Sequence, residues 1–176
     1  MKLRVLKSDG GDFDRDFIEQ IIELDKANMQ AVLDIAGLEF PEQNRRDGFK
    51  KNPTFIVAEN EGEIAGYLEY TRSRTDADLI YLSSIQIEKK YRRSDLLLKL
   101  IDEFVRTVGQ EDFRGFEANV RKNNFPVIKL YRKIGFEFKE NPRNSASWRL
   151  TADHEILNES PVNVLLEKWR EKHRKS

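Results

Sequence analysis

Two stretches of this sequence carry residue types at spacings that could do chemistry. The first, Ile85-Gln86-Ile87-Glu88-Lys89-Lys90-Tyr91-Arg92-Arg93-Ser94-Asp95-Leu96-Leu97, reads as a strand, a basic turn and the start of a helix. A helix N-terminus presents backbone N–H groups and a positive partial charge, which suits an anion such as a pyrophosphate. Arg92 and Arg93 would add full charges beside it. Any strand, turn and helix with basic residues at the bend has the same look, so this segment alone leaves a structural reading open. The second stretch, Asn123 to Phe136, reads as a short amphipathic helix with Asn124 as its cap, Gly135 as its stop and an aromatic side chain in the core.

Composition narrows the chemistry. The 176 residues fit one domain, with or without a terminal extension. There is no cysteine and there are only two histidines, His154 and His173, so thiolate chemistry is excluded and a histidine-rich metal site is not expected. Lys plus Arg and Asp plus Glu both number 31, which disfavours a globally basic nucleic-acid binder. Charged residues make up 35%, yet 11 Phe, 5 Tyr and 2 Trp argue for a packed core. No apolar run approaches the ~20 residues of a membrane span, and a cytoplasmic location is the expectation.

The elements that must position these stretches follow from periodicity. Lys2 to Lys7 alternates as a strand, and Ser8 to Asp12 turns the chain. Phe17, Ile21 and Leu24, widened by Ile18 and Ile22, make a helical stripe, and a second helical stretch runs from Met29 to Ile35 before Gly37 and Pro41 break it. Glu42 to Asn52 is a polar loop or short helix. Thr54–Glu59 and Glu63–Tyr70 form a hairpin about Asn60-Glu61-Gly62. A strand over Leu79 to Glu88 leads through Ser94, the expected cap, into a helix with Leu97, Ile101, Phe104 and Val108 on one face. Phe113 to Val120 is a strand, and two more follow the Asn124–Ile134 helix at Phe136–Lys139 and Ala146–Thr151. Behind Asn158-Glu159-Ser160-Pro161, a final helix carries Val162, Leu165, Leu166 and Trp169, with a basic end at Lys168 to Lys175. The order β-α-α-β-β-β-α-β-α-β-β-α, with strands of mixed connectivity, predicts an α/β (α+β) domain around one central sheet.

Together the two stretches resemble the GNAT superfamily of N-acetyltransferases. Those proteins carry V-x-P-x-Y-[RQ]-x-x-G-x-[GA] before one helix and N-x-x-A-x-x-L-Y-x-K-x-G-F some thirty residues later. Here Ile87 stands for the valine and Tyr91-Arg92 for the Tyr-Arg/Gln pair, while Lys89 replaces the proline. In the second motif Asn124, Leu130, Tyr131, Lys133, Gly135 and Phe136 match, with Val127 for the alanine. The resemblance covers residues 1–155 and implies a central mixed, mostly antiparallel sheet flanked by helices. Residues 156–176 lie outside it as an amphipathic, basic helix packed on or extending the domain.

The resemblance implies acetyl-CoA as co-substrate, no metal, and transfer of an acetyl group to a primary amine by direct attack in a ternary complex. Backbone groups of Ile85 and Ile87 would pair with the pantetheine arm, in a V between the strand ending at Ile87 and the strand ending near Val120. The diphosphate would sit on backbone N–H groups of Arg92, Arg93, Ser94, Asp95, Leu96 and Leu97, with Asn124 on the pantetheine side. Tyr131 would be the general acid that protonates the CoA thiolate, and Glu69 is the candidate base, weakly indicated. The acceptor, a small-molecule or protein amine, is not named by the sequence. Asp95 and Leu97 stand where the family has glycines, and a carboxylate at Asp95 opposes a diphosphate while complementing its own helix. The alternative is therefore a catalytically degenerate GNAT-fold binding or regulatory module. For the last helix, packing of Trp169 and Leu165 on the domain's own sheet is expected; a homodimer contact, a lid and a partner site remain open, and nucleic-acid binding is disfavoured.

Overall fold

The computed structural model describes residues 1–8, 13–156 and 161–174, with residues 161 and 162 as backbone only. The expected turn at Asp9 to Asp12, the Asn158–Ser160 stretch and the side chain of Val162 lie outside the described residues. Seven strands hydrogen-bond in the order β1-β2-β3-β4-β5-β7-β6, with helices between them, which is the α/β class expected. The chain divides into two compact units, residues 1–71 with 83–104 and residues 72–82 with 105–176. Among the described residues no helix is long and apolar enough to cross a membrane.

In the first unit, β1 (Lys2–Lys7) pairs antiparallel with β2 (Thr54–Asn60), which pairs antiparallel with β3 (Glu63–Arg72). Glu61 and Gly62, both left-handed at φ 55° and 86°, make the two-residue turn that matches strand twist in a hairpin. Helix α1 (Arg15–Ile35) starts at Asp14, whose side chain accepts the Phe17 N–H at 2.8 Å. It is one continuous helix, so the separate stretch expected at Met29 to Ile35 is its last turns. No Gly or Pro interrupts Arg15 to Ile35, and a lapse in apolar pattern alone does not end a helix. The second helix, α2, is instead Glu42–Phe49, within the polar segment.

Phe17, Ile21, Ile22 and Leu24 of α1 are buried with Phe49 of α2 and Phe55, Val57, Ile64 and Tyr67 of the hairpin. The Phe17 and Phe55 rings meet edge to face at 5.2 Å, and Phe49 stacks on Phe55 at 5.6 Å. β4 (Leu79–Ile87) enters this unit at Ser83. A side chain at Gly66 of β3 would place its Cβ 2.8 Å from the Gln86 carbonyl, so only glycine admits this approach.

In the second unit the first half of β4 runs parallel to β5 (Gly115–Arg121), with Leu79 to Leu82 opposite Gly115 to Ala118. β7 (Ser147–Asp153) pairs antiparallel with β5 and with β6 (Glu137–Glu140). Helix α3 (Leu96–Val108) begins in the first unit and ends in the second. Helix α4 (Phe125–Ile134) has Pro126 in its first turn and stops at Gly135, left-handed at φ 107°. Helix α5 (Pro161–Arg174) packs against α4, and its Leu166 is 1% exposed. Leu165, expected to face inward, is 54% exposed. Adjacent residues on a helix point about 100° apart, so with Leu166 turned in, its neighbour is turned out.

Candidate functional site

The strand, turn and helix in the first unit begin at Ser83. The Glu88 N–H bonds to the Ala65 carbonyl of β3 at 2.9 Å. Backbone groups alternate sides along a strand, so those of Ile85 and Ile87 point to the edge away from β3. The Ile87 carbonyl accepts from Asn28 Nδ2 at 3.2 Å and from Arg92 Nε at 3.3 Å, and Arg92 Nη2 donates in turn to Asn28 Oδ1. Asn28 Nδ2 also donates to Gln86 Oε1 at 2.9 Å. Asn28, on α1, thus ties the end of β4 to the basic turn, and nothing in its own helical surroundings announces this.

A 3-10 turn at Lys89–Tyr91 follows, closed by Tyr91 N–H to the Glu88 carbonyl at 2.9 Å. The Ser94 N–H bonds to the Tyr91 carbonyl at 3.0 Å, and Ser94 Oγ donates to that carbonyl and accepts the Leu96 N–H at 3.2 Å. Ser94 therefore caps α3 as expected, one residue outside the usual position. Its hydroxyl and the local turn engage three of the six backbone N–H groups expected for a diphosphate, those of Arg92, Ser94 and Leu96. Leu96 is fully buried, backbone included. Arg92 and Arg93 are exposed. The Asp95 carboxylate lies 3.2 Å from Lys99 Nζ, one turn on, which offsets part of the charge that would oppose an anion.

In the second unit, Tyr131 is 4% exposed and packs edge-on against Phe136 at 4.9 Å. Burial, and secondarily the neighbouring Tyr81, hold its hydroxyl well above the usual phenol range, so it stays protonated. Tyr81 Oη accepts from Asn119 Nδ2 at 3.3 Å. Asn124 precedes α4, but its side chain makes no capping hydrogen bond; its carbonyl accepts the Ile128 N–H at 3.0 Å. The side-chain cap expected there is absent. On the same unit's sheet Glu117, 8% exposed, is held by Ser73 Oγ and by Arg149 Nη2 at 3.0 Å.

Glu69 does not stand alone on its strand. It is 4% exposed, and its Oε2 lies 2.8 Å from Arg45 Nη2, off the line a hydrogen bond needs, as a charge–charge contact. Arg45 Nε donates to Asp25 Oδ2 at 2.6 Å, and Tyr67 Oη donates to Asp25 Oδ1. The guanidinium lies over the Phe49 ring at 4.7 Å. Burial raises the Asp25 and Glu69 carboxyls, opposed by Arg45. Burial, then the Asp25 charge, pushes the Tyr67 phenol up. Burial works against the Arg45 charge, but Tyr67, Glu69 and Asp25 outweigh it and the guanidinium stays charged. In sequence Asp25 and Arg45 read as solvated charges on helices, and no spacing rule joins them to Tyr67 and Glu69.

The fourth strand of the seven-stranded mixed sheet thus delivers a basic turn to a helix start. Residues 18–136 match the profile of the acetyltransferase (GNAT) family, and the chain belongs to that family. A Bacillus subtilis (strain 168) protein, provisionally assigned as a ribosomal protein bS18-alanine N-acetyltransferase, is 30% identical over 83 residues, covering 47% of this chain and 53% of that protein. The L-2,4-diaminobutyric acid acetyltransferase of Vibrio parahaemolyticus (serotype O3:K6) is 18% identical over 81 residues, 46% and 45% of the two chains. The chain thus spans about half the length of these curated relatives. Among solved structures, a GNAT-family acetyltransferase from Staphylococcus aureus Mu50 superposes with a TM-score of 0.67 at 14% identity, covering 86% of this chain and 99% of that one. The PaiA N-acetyltransferase of Thermoplasma acidophilum, solved with coenzyme A, gives 0.65 at 13% identity, covering 88% and 100%.

Proposed function

We propose that this chain moves an acetyl group from acetyl-CoA to a primary amine, within one domain over residues 1–155 to which the terminal helix is appended. The observation that carries the reading is the backbone edge of Ile85 and Ile87, turned away from β3 and running straight into the basic turn before α3. That edge fits an amide-bearing arm, since each strand residue offers an N–H and a carbonyl in fixed alternation. Asn28 and Arg92 occupy the Ile87 carbonyl, so the Ile87 N–H is the group this residue brings to a ligand. The N–H groups of residues 92–97, with Arg92 and Arg93 at the surface, would take the diphosphate, and Asn124 would serve the pantetheine side.

Tyr131, kept protonated by burial, donates its proton to the departing thiolate. The attacking nitrogen must arrive without its extra proton. Glu69 is the candidate base carried from the sequence, and its burial beside Arg45 means that a proton reaches it only through other groups. The acceptors named for the curated relatives, an N-terminal alanine and 2,4-diaminobutyrate, are the amines to try first.

Calorimetric titration with acetyl-CoA, with CoA for comparison, tests the reading. Micromolar binding followed by acetylation of an alanine-ended peptide or of 2,4-diaminobutyrate is the expected result. No heat at millimolar acetyl-CoA would overturn it.

A further inference from the structure

The buried charges of the first unit are joined to the partly exposed face of β4. Tyr67 has one hydroxyl proton and gives it to the Asp25 carboxylate, which can only accept. Tyr67 Oη also lies 3.2 Å from Ser84 Oγ, so its one proton has two acceptors within reach, Asp25 and Ser84. Ser84 Oγ in turn accepts from Gln86 Nε2 at 3.2 Å, and that amide is fixed by Asn28 on its other end. Ser84, Tyr67 and Asp25 thus form one line of hydrogen-bonded oxygens. Burial follows the same direction, from partly exposed Ser84 to fully buried Tyr67 and Asp25 at 5%.

The charges explain why a proton would travel that way. Asp25 faces Arg45 of α2 and Tyr67 of β3, and Arg45 bridges it to Glu69 of β3, which also feels Lys51. Two carboxylates stand against one guanidinium in contact, and one added proton neutralises the set. A cluster with an odd carboxylate in a low-dielectric interior is a proton acceptor, because the extra anion has lost its hydration.

We propose that Ser84, Tyr67 and Asp25 form a proton relay that deprotonates the acceptor amine, with Arg45 and Glu69 setting the charge of its inner end. This rests on the transferase reading above. Ser84 follows the register directly before Ile85, whose backbone edge that reading assigns to the acyl donor. One N–H bond of the acceptor's ammonium breaks toward Ser84 Oγ as the Ser84 proton passes to Tyr67 Oη and the Tyr67 proton to Asp25 Oδ1. The electron pair left on nitrogen forms the bond to the thioester carbon, the C–S bond breaks, the thiolate takes the proton of Tyr131, and the second proton of the new amide nitrogen restores that phenol. Asp25 ends neutral, and the reverse path returns its proton to water. Ser84 is the catalytic end; Tyr67 and Asp25 act through it.

Ser84→Ala tests this without disturbing a fully buried side chain. With acetyl-CoA and an alanine-ended peptide, turnover at pH 6.5 should fall about 10-fold or more, since general base catalysis is worth 10²–10⁴-fold and an α-amine of pKa near 8 is mostly protonated there. The deficit should shrink toward pH 9.5, where the amine needs no base. Ser84→Thr should restore the rate, and acetyl-CoA affinity should not move. Equal turnover of Ser84→Ala and wild type at pH 6.5 would overturn the relay and leave the transferase reading standing. If the wild type acetylates neither this peptide nor 2,4-diaminobutyrate, hydrogen exchange of the Tyr67 hydroxyl, followed by NMR, decides. Slower exchange in Ser84→Ala keeps the path while the transferase reading falls; equal exchange removes the path as well.

Discussion

Tyr67 and Tyr131 are both buried tyrosines, at 0% and 4% exposure, and burial raises both phenols. Their surroundings differ in kind. The Tyr67 hydroxyl is bound on every side, by Asp25, Arg45 and Ser84. Tyr131 is held by its ring, against Phe136, and makes no side-chain hydrogen bond among the described residues. A hydroxyl already committed to a carboxylate can pass a proton inward but has little to give a ligand. One held only by its ring keeps its donor available. In the proposed reaction the two tyrosines would therefore move protons in opposite directions, set by their neighbours and not by their own acidity.

The comparison breaks most visibly at Arg45. Arg45→Met would leave Asp25 and Glu69 without their cation and should cost about 3–5 kcal/mol of stability, the usual cost of stripping one partner from a buried pair. Urea unfolding measures it, and a loss under 1 kcal/mol would mean that the carboxylates are already neutral. Next is Tyr131→Phe, expected to lower turnover about 10²-fold while acetyl-CoA affinity stays put. Parallel steady-state and calorimetric data would show this, and an unchanged rate would leave Tyr131 as a core aromatic.

Asn28→Ala should have a smaller effect. It removes bonds to the Ile87 carbonyl and Arg92, each worth about 1 kcal/mol, and should weaken acetyl-CoA binding about 5-fold. Equal affinity would mean that the turn orders itself. Asp25 and Glu69 also give a pH signature. Their folded-state values are raised, so their contribution to stability is fully present below the ordinary carboxylate range and is lost as pH rises through the raised values. Glu69→Gln should therefore gain stability relative to wild type between pH 4 and pH 8, as followed by melting temperature. A pH-independent offset would contradict the sign. The smallest effect is Asp95→Asn, which should tighten acetyl-CoA by less than about 3-fold because Lys99 already offsets the carboxylate.

How much could be read beforehand differs between the two regions. The run of the second unit was legible, because Asn124, Gly135 and the apolar residues between them are local signals of a helix and its ends, and Tyr131 falls inside a recognisable spacing. Gly135 does take the left-handed conformation a helix stop needs, while Asn124 does not use its side chain as a cap. The hairpin turn at Glu61-Gly62 was equally local. The boundary between α1 and α2 was misplaced because Glu42 to Phe49 has no apolar stripe; it is helical because Phe49 and Arg45 dock on the hairpin.

By itself the sequence determined the family, most of the elements and the two segments that carry the family's spacing. Each of these is written in near-neighbour patterns of polarity, glycine and capping residues. The tertiary structure alone decided that Asp25, Arg45, Tyr67, Glu69 and Ser84 meet, across separations of 20 and 42 residues from Asp25 to Arg45 and Tyr67. Charged side chains on a helix are compatible with water in any pattern, so nothing local marks the one that will be buried. It is the packing of α2 over the aromatic core that removes Arg45 from solvent, and once it is dry, its carboxylate partners and the hydroxyls they orient follow from electrostatics.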